Sequence, residues 1–292
     1  AAQKYRDALE LLKSIAAQSA ESKTAVALEG QAYLGLGRAE FRMPDDGSRQ
    51  NVRDAKQHLM RAQEIARTMN ALDLTHLPAS AIYLQAGLEL AWAHDGIGEL
   101  KETEEVAKET AVLADRVLEM RPDYRPAILA SAGVARVLAD IEYNQRGRVS
   151  AAQKHYQESR AALERLLALD TSKGAVWFNL AEVKFNIAST LRDLGRMQEA
   201  IQMLHEAITM ADRFTLTPLM ARNFAQWSGA LATAHQNMGD AARAEAALAQ
   251  RRILAINGLR FVPVQAENAH VVAARVAGFD TAAWQMLMAP AG

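Results

Sequence analysis

The stretch that decides the fold is GAVWFNLAEVKFNIASTLRDLGRMQEAIQMLHEAITMADRF, residues 174–214. Apolar and small side chains recur in it at steps of three and four residues, first over 177–191 and again over 200–208. That spacing places each set on one face of an α-helix. Between the two sets lies Leu194-Gly195-Arg196, where Gly195 is suited to the left-handed conformation that ends a helix. The stretch therefore predicts a helix, a tight turn and a second helix.

Small residues lie next to or on either side of bulky ones along these two helices. Ile187 and Ala188 are adjacent on the first helix, and small residues flank Leu204 on the second. Small residues allow two helices to approach closely, while bulky ones fill the space between them. This order, with Gly195 at the turn, resembles the tetratricopeptide repeat. The resemblance implies an all-α fold, a right-handed α-solenoid of antiparallel helix pairs.

Weaker copies of the pattern occur on both sides of this stretch. They cover residues 23–69, 79–120, 126–169 and 218–255, and residues 5–15 look like a second helix without its first. The turn glycines Gly98, Gly147, Gly195 and Gly239 are 49, 48 and 44 residues apart. The usual repeat period is about 34 residues, so we expect a variant with helices of about 20 residues. Repeats of this kind are found in multidomain bacterial signalling proteins.

The repeat pattern is expected to end before the end of the chain. Asn257-Gly258 is a turn signal, and Val262-Pro263 is a signal that stops a helix. We therefore predict a helical repeat domain over residues 1–256 and a tail of short capping helices over residues 257–292. The sequence begins within the pattern, so we also expect it to be a fragment of a longer protein.

The composition excludes several classes of protein. The formal net charge is -1, with 33 basic and 34 acidic residues, which is not the basic balance of a nucleic-acid binder. No apolar run approaches the roughly 18 residues that a membrane span requires. There is no cysteine, so disulfides, cysteine–zinc sites and thiol nucleophiles are excluded. We expect a cytoplasmic protein that binds neither nucleic acid nor membrane.

Catalytic and cofactor motifs are missing from the sequence. The seven histidines include no pair at a four-residue helical spacing, and His205-Glu206 lacks the second histidine of a zinc-protease motif. Gly35-Leu36-Gly37 and Gly96-Ile97-Gly98 neither follow a predicted strand nor lead into a Lys-Ser/Thr pair. We therefore expect no enzyme activity, no metal and no cofactor.

The resemblance also implies where a partner would bind. In tetratricopeptide repeats the first helix of each pair lines a concave groove, which is the extended surface that solenoids offer to partners. Asn186 matches a position where the family often holds a peptide backbone with asparagine. For Trp92 and Phe185, packing in the core is an open alternative to partner binding, because large aromatic residues at helical spacing usually pack inside. The partner-binding candidates carried over from the repeat frame are Trp92, Asn144, Phe185, Asn186, Ser189, Arg192, Gln226 and Gln236.

Two functions remain open at this point. The first is a scaffold or regulatory module that binds a peptide or protein in its groove, as part of a larger signalling protein. The second is a ligand-sensing domain whose superhelix responds to a small molecule or peptide. Exposed apolar residues near the N-terminus also make the formation of a homo-oligomer an open alternative.

Overall fold

The computed structural model describes residues 2–16, 23–43, 49–69, 74, 76–172, 174–213 and 217–259. Every regular element within these ranges is helical. The chain divides into two compact units, residues 1–169 and residues 170–292. The all-α class predicted from the sequence is confirmed, because each unit is built from consecutive helix pairs.

The described part of the first unit contains seven helices, of which the first, α1, precedes three helix pairs. Helix α2 packs on α3, α4 on α5 and α6 on α7, and the first helices α2, α4 and α6 also contact one another in order. The helices are α1 Ala2–Ala16, α2 Lys23–Phe41, α3 Gln50–Thr68, α4 Leu77–Ile97, α5 Leu100–Met120, α6 Arg125–Asp140 and α7 Val149–Leu169. A π-helical turn, Ile141–Gln145, extends α6.

The second unit contains two pairs over its described part. Helix α8 packs on α9 and α10 packs on α11, with α9 also against α10. The helices are α8 Gly174–Asp193, α9 Met197–Thr209, α10 Pro218–Asn237 and α11 Ala241–Leu259, and a 3-10 turn Met210–Arg213 follows α9. Lengths of 21 residues for α4, α5 and α7, and of 20 for α8 and α10, confirm the long-helix expectation.

Three of the four turn glycines end a first helix in the same way. Gly98, Gly195 and Gly239 have φ values of 82°, 76° and 76°. In each turn the N–H of the next residue donates to a carbonyl five positions earlier, as in Arg196 to Leu191 at 2.8 Å. This is the Schellman arrangement, which satisfies carbonyls left open at a helix end. The predicted turn positions are therefore confirmed.

Small residues bring the helices close together, as the sequence pattern predicts. Ala181 and Ala188 of α8 and Ala200 and Ala207 of α9 are all buried. In the first unit, a Cβ on Gly133 would clash with the side chain of Leu88, so α6 approaches α4 as closely as a glycine allows. Close approach of this kind buries apolar surface, which drives the assembly of the pairs.

Two expectations about the end of the chain have different outcomes. The turn predicted at Asn257-Gly258 is wrong, because α11 continues through both residues to Leu259. A glycine inside a helix costs about 1 kcal/mol relative to alanine, so Gly258 does not by itself end α11. The capping helices predicted beyond this point lie outside the described residues, so the tail remains a prediction.

Candidate partner-binding groove

A groove in the second unit lies between α8 and α10, with α9 beneath it. Its volume is about 170 Å³. Residues of all three helices line it: Phe185, Ala188, Ser189, Arg192, Met197, Ala200, Leu204, Ala230, Thr233, Ala234 and Asn237. It therefore belongs to the surface that the first helices α8 and α10 share.

The groove exists because large side chains between α8 and α10 give way to small ones. Four rings fill the space between the helices: Phe178 and Phe185 from α8, and Phe224 and Trp227 from α10. One turn further along both helices, the facing positions hold small residues such as Ala188 and Ala230. These side chains are too short to meet across the gap that the rings establish, so an open space remains.

Polar groups surround the apolar floor of this groove. Arg192 is the charged residue among the lining residues, and its guanidinium pairs with the carboxylate of Asp193 at 2.9 Å. The Ser189 hydroxyl donates to the Phe185 carbonyl at 3.3 Å, and the Thr233 hydroxyl donates to the Gly229 carbonyl at 3.1 Å. Each hydroxyl donates its proton to a carbonyl of its own helix, and its oxygen keeps lone pairs that can accept another hydrogen bond. The arrangement suits an apolar group carried on a polar chain.

The structure brings three of the predicted residues on α8 into this groove and leaves others outside it. Phe185, Ser189 and Arg192 line the groove. Asn186 is half-buried on α8 and is not among the lining residues. Gln226 and Gln236 of α10 are exposed and also lie outside the lining. Their roles in binding remain predictions.

The two candidates in the first unit are not part of this groove. Trp92 on α4 is half-buried, and the guanidinium of Arg136 lies over its ring at 5.1 Å from the centroid. Asn144 is exposed in the π-helical turn after α6. In that turn the backbone hydrogen bonds join residues five apart, where an α-helix joins residues four apart. The roles of Trp92 and Asn144 in binding remain predictions.

Several residues that line the second-unit groove were not predicted from the sequence. They include Ala230, Ala234 and Asn237 of α10, and Met197 at the start of α9. The signal that could have found them is the change from aromatic to small residues on both first helices, since a gap opens where two such changes face each other.

The first unit has a second groove between α2 and α4. Its volume is about 300 Å³, and Leu34 and Ile82 are buried residues in its wall. Tyr5 of α1 rests against Gly35, where a Cβ would clash with the ring. Arg38 also lines this groove, and its Nε donates to the buried carboxylate of Glu89 at 2.8 Å. Arg38 in this groove and Arg192 in the second-unit groove are therefore each paired with an acidic residue.

The lining of the second-unit groove contains no histidine, aspartate or glutamate. Within the described residues, no group of three or more histidine, aspartate or glutamate residues could hold a metal ion. The charged group buried beside the second-unit groove is Lys184, whose ammonium pairs with Glu206 at 2.5 Å and so holds α8 to α9. Over the same part of the chain, no helix is both long and apolar enough to cross a membrane.

Comparisons with known proteins agree with this architecture. Residues 137–213 match the tetratricopeptide repeat family model. The crystal structure of BtubC (BKLC) from P. vanneervenii is similar over 91% of this chain and 94% of its own, with a TM-score of 0.63 and 15% identity. TTC0263, a thermophilic TPR protein in Thermus thermophilus, aligns over 85% of this chain and 98% of its own, with a TM-score of 0.45 and 15% identity. A comparison with curated protein sequences gave no match. The likeness to BtubC shows a shared fold.

Proposed function

Because residues 137–213 match the tetratricopeptide repeat family model, we propose that the chain is a protein-interaction module. It binds a segment of a partner protein in the groove between α8 and α10. Function is argued from the site and not from the fold alone, since one fold serves many functions. The observation that carries the proposal is the gap between these two first helices.

The lining of the groove favours a peptide as occupant. An apolar side chain of the partner fits against Phe185 and Leu204, where it would be removed from water. The backbone beside that side chain meets Ser189, Thr233 and Asn237 at the rim. Recognition by one apolar anchor with polar contacts around it is the usual way in which grooves between helices hold peptide segments.

The wider role that we propose follows the family resemblance. The module acts as a scaffold or regulatory part of a larger signalling protein in the bacterial cytoplasm, and it carries no catalytic activity itself. Ligand sensing is the second candidate function, because an apolar floor with a few polar groups around it is also the usual lining of a small-molecule site.

A site-specific crosslinking experiment tests the proposal. The photoreactive residue benzoylphenylalanine replaces Thr233 at the groove, and a matched probe replaces Glu245, which is exposed on α11. Both variants are irradiated in native lysate with and without Ala230→Met, which fills the groove. We expect a crosslinked protein from position 233 that disappears with Ala230→Met and is absent from position 245.

The same experiment separates the outcomes. If positions 233 and 245 capture the same proteins, or if Ala230→Met changes nothing, the groove is not the binding site. If a thermal-shift screen finds a small molecule that stabilises the parent and not Ala230→Met, while no protein is crosslinked, ligand sensing replaces the scaffold function.

A further inference from the structure

We propose that the groove accepts an aromatic side chain of the partner, which stacks on Phe185 and lies under the guanidinium of Arg192. The inference rests on the proposed function and specifies what the groove recognises. Three features support it: a row of stacked aromatic rings, a space large enough for one more ring, and the guanidinium of Arg192, which lines the groove.

The row of rings runs through both first helices. Phe178 stacks on Trp227 with centroids 6.2 Å apart, and Phe185 stacks on Trp227 with centroids 5.4 Å apart, both at interplanar angles of 20°. Phe185 is therefore the ring at one end of this row. Of the four rings, Phe185 is the one that borders the groove. An additional ring in the groove would continue the row by the same kind of contact, which is favourable beyond the burial of area.

The space next to Phe185 matches a single ring. The groove measures about 170 Å³, and an apolar cavity of about 150 Å³ is large enough to hold benzene. Its walls are formed by Ala188 of α8 and by Ala230 and Ala234 of α10. The short side chains at these three positions leave room for a ring that stacks on Phe185.

The cation at the groove complements the negative face of an aromatic ring. Among the residues that the structure describes, arginine already pairs with an aromatic ring in three places: Arg136 with Trp92 at 5.1 Å, Arg67 with Tyr83 at 5.4 Å and Arg213 with Trp177 at 5.7 Å. Arg192 lines the groove two helical turns after Phe185.

The pairing of Arg192 with Asp193 does not prevent such a contact. The two charged groups belong to neighbouring exposed residues, and their carboxylate–guanidinium distance is 2.9 Å. Exposed pairs of this kind contribute little to stability because solvent screens them, so the guanidinium can exchange or share this partner. A guanidinium can also stack on a ring while its edge keeps a hydrogen bond to a carboxylate.

A displayed library of random decapeptides provides the probe. Peptides are selected on the parent protein, and the tightest is synthesised with a fluorescent label for measurement of Kd by anisotropy. We expect one aromatic position in the selected peptides. Replacing that residue by cyclohexylalanine, which keeps the volume and removes the π face, should weaken binding about fivefold. Arg192→Met, which keeps the apolar stem and removes the charge, should weaken it about threefold.

The two changes should not be independent. In Arg192→Met, the loss caused by cyclohexylalanine should be smaller than in the parent, because one of the contacts to the ring has already gone. A residue that only supported the fold would weaken all peptides equally and show no such coupling. Circular dichroism and thermal unfolding of each variant confirm that it is folded.

Failure of this inference can be told from failure of the proposed function. Ala230→Met should abolish peptide binding, whereas the matched change Ala246→Met on the exposed face of α11 should not. If Ala230→Met abolishes binding but the selected peptides show no aromatic position, or cyclohexylalanine binds as well, the aromatic inference is overturned and the groove stands. If the parent selects no peptide, or Ala230→Met and Ala246→Met bind alike, both are overturned.

Discussion

Phe185 of α8 stacks on Trp227 of α10, with ring centroids 5.4 Å apart and an interplanar angle of 20°. The contact joins the first helices of the two pairs in the second unit, and Trp227 also meets Phe224 edge-on at 4.7 Å. Trp227 is buried while Phe185 borders the groove. The stability of this unit and the shape of the groove therefore both depend on the Trp227 ring.

Removal of that ring should destabilise the protein strongly. Trp227 is 3% exposed, so Trp227→Ala leaves a cavity between α8 and α10. We expect a loss of about 3–5 kcal/mol in the free energy of unfolding, measured by urea denaturation. Trp227→Phe keeps part of the stack and should lose clearly less. Equal losses for the two variants would show that the ring does not fill the space as described.

The local elements of this fold could be predicted from the sequence, because their signals lie within one helix or turn. The three- and four-residue spacing marks α8 and α9, and the positive φ of Gly195 follows from its place at the turn. The groove could not be found in this way. It depends on Ala188 of one helix facing Ala230 of another, and a repeat frame alone does not say which residues face each other across a gap.

The backbone departs from the α-helical period at the end of α6, and the sequence does not predict this. The π-helical turn Ile141–Gln145 has one more residue per hydrogen-bonded turn than an α-helix. Asn144, which the frame placed in the groove, is exposed in that turn. Nothing in the local sequence marks such a turn, so this position required the structure.

The turn after α4 provides a prediction with an internal control. Gly98 has a φ of 82°, so Gly98→Ala should lower the free energy of unfolding by about 1 kcal/mol, and Gly98→Asn by less. Gly96 lies two residues earlier inside α4, and a Cβ there would meet Phe41 and Val52 at 3.8 Å, an ordinary contact. Gly96→Ala should therefore stabilise the protein by up to about 1 kcal/mol. Opposite signs in thermal unfolding are the expected result, and the same sign for both would contradict the assigned turn.

Tyr83 should make stability depend on alkaline pH. Its hydroxyl accepts from Arg67 at 2.9 Å and donates to the carboxylate of Glu109. Burial, followed by the hydrogen bond to Glu109, raises the pKa of Tyr83 to about 12 from its ordinary value of 10.0. The folded state thus holds the phenol proton more tightly than the unfolded state. The stability linked to this proton is complete below pH 10 and is lost as the pH rises toward 12.

Tyr83→Phe removes the titrating group and keeps the ring. At pH 7 we expect a loss of about 1 kcal/mol, from the two hydrogen bonds that the hydroxyl makes. Between pH 10 and 12 the variant should lose stability less steeply than the parent, as measured by urea unfolding at a series of pH values. Parallel curves for parent and variant would show that the raised pKa belongs elsewhere, such as at Tyr156, whose pKa burial also raises.

The turn between α4 and α5 should lose stability in acid. The Lys56 ammonium donates to both oxygens of Glu99, at 2.9 and 2.8 Å, and His94 Nδ1 lies 2.5 Å from Oε2. The hydrogen bonds from Lys56, and then from His94, lower the pKa of Glu99 from its ordinary value of 4.5, against the opposing effect of burial. Because the folded state favours the carboxylate, the linked stability is present above pH 4.5 and is lost as the pH falls through the lowered pKa.

Lys56→Met should remove part of this dependence. At pH 7 we expect a loss of less than about 1 kcal/mol, since the pair is partly exposed to solvent and therefore screened. The difference between parent and Lys56→Met should shrink as the pH is lowered below 4.5, because protonated Glu99 no longer attracts the ammonium. Lys101→Met is the matched control, since Lys101 lies 3.7 Å from Glu105 in a far more exposed pair. A difference that stays constant from pH 7 to pH 3 would mean that the contribution of Lys56 to stability does not depend on the charge of Glu99.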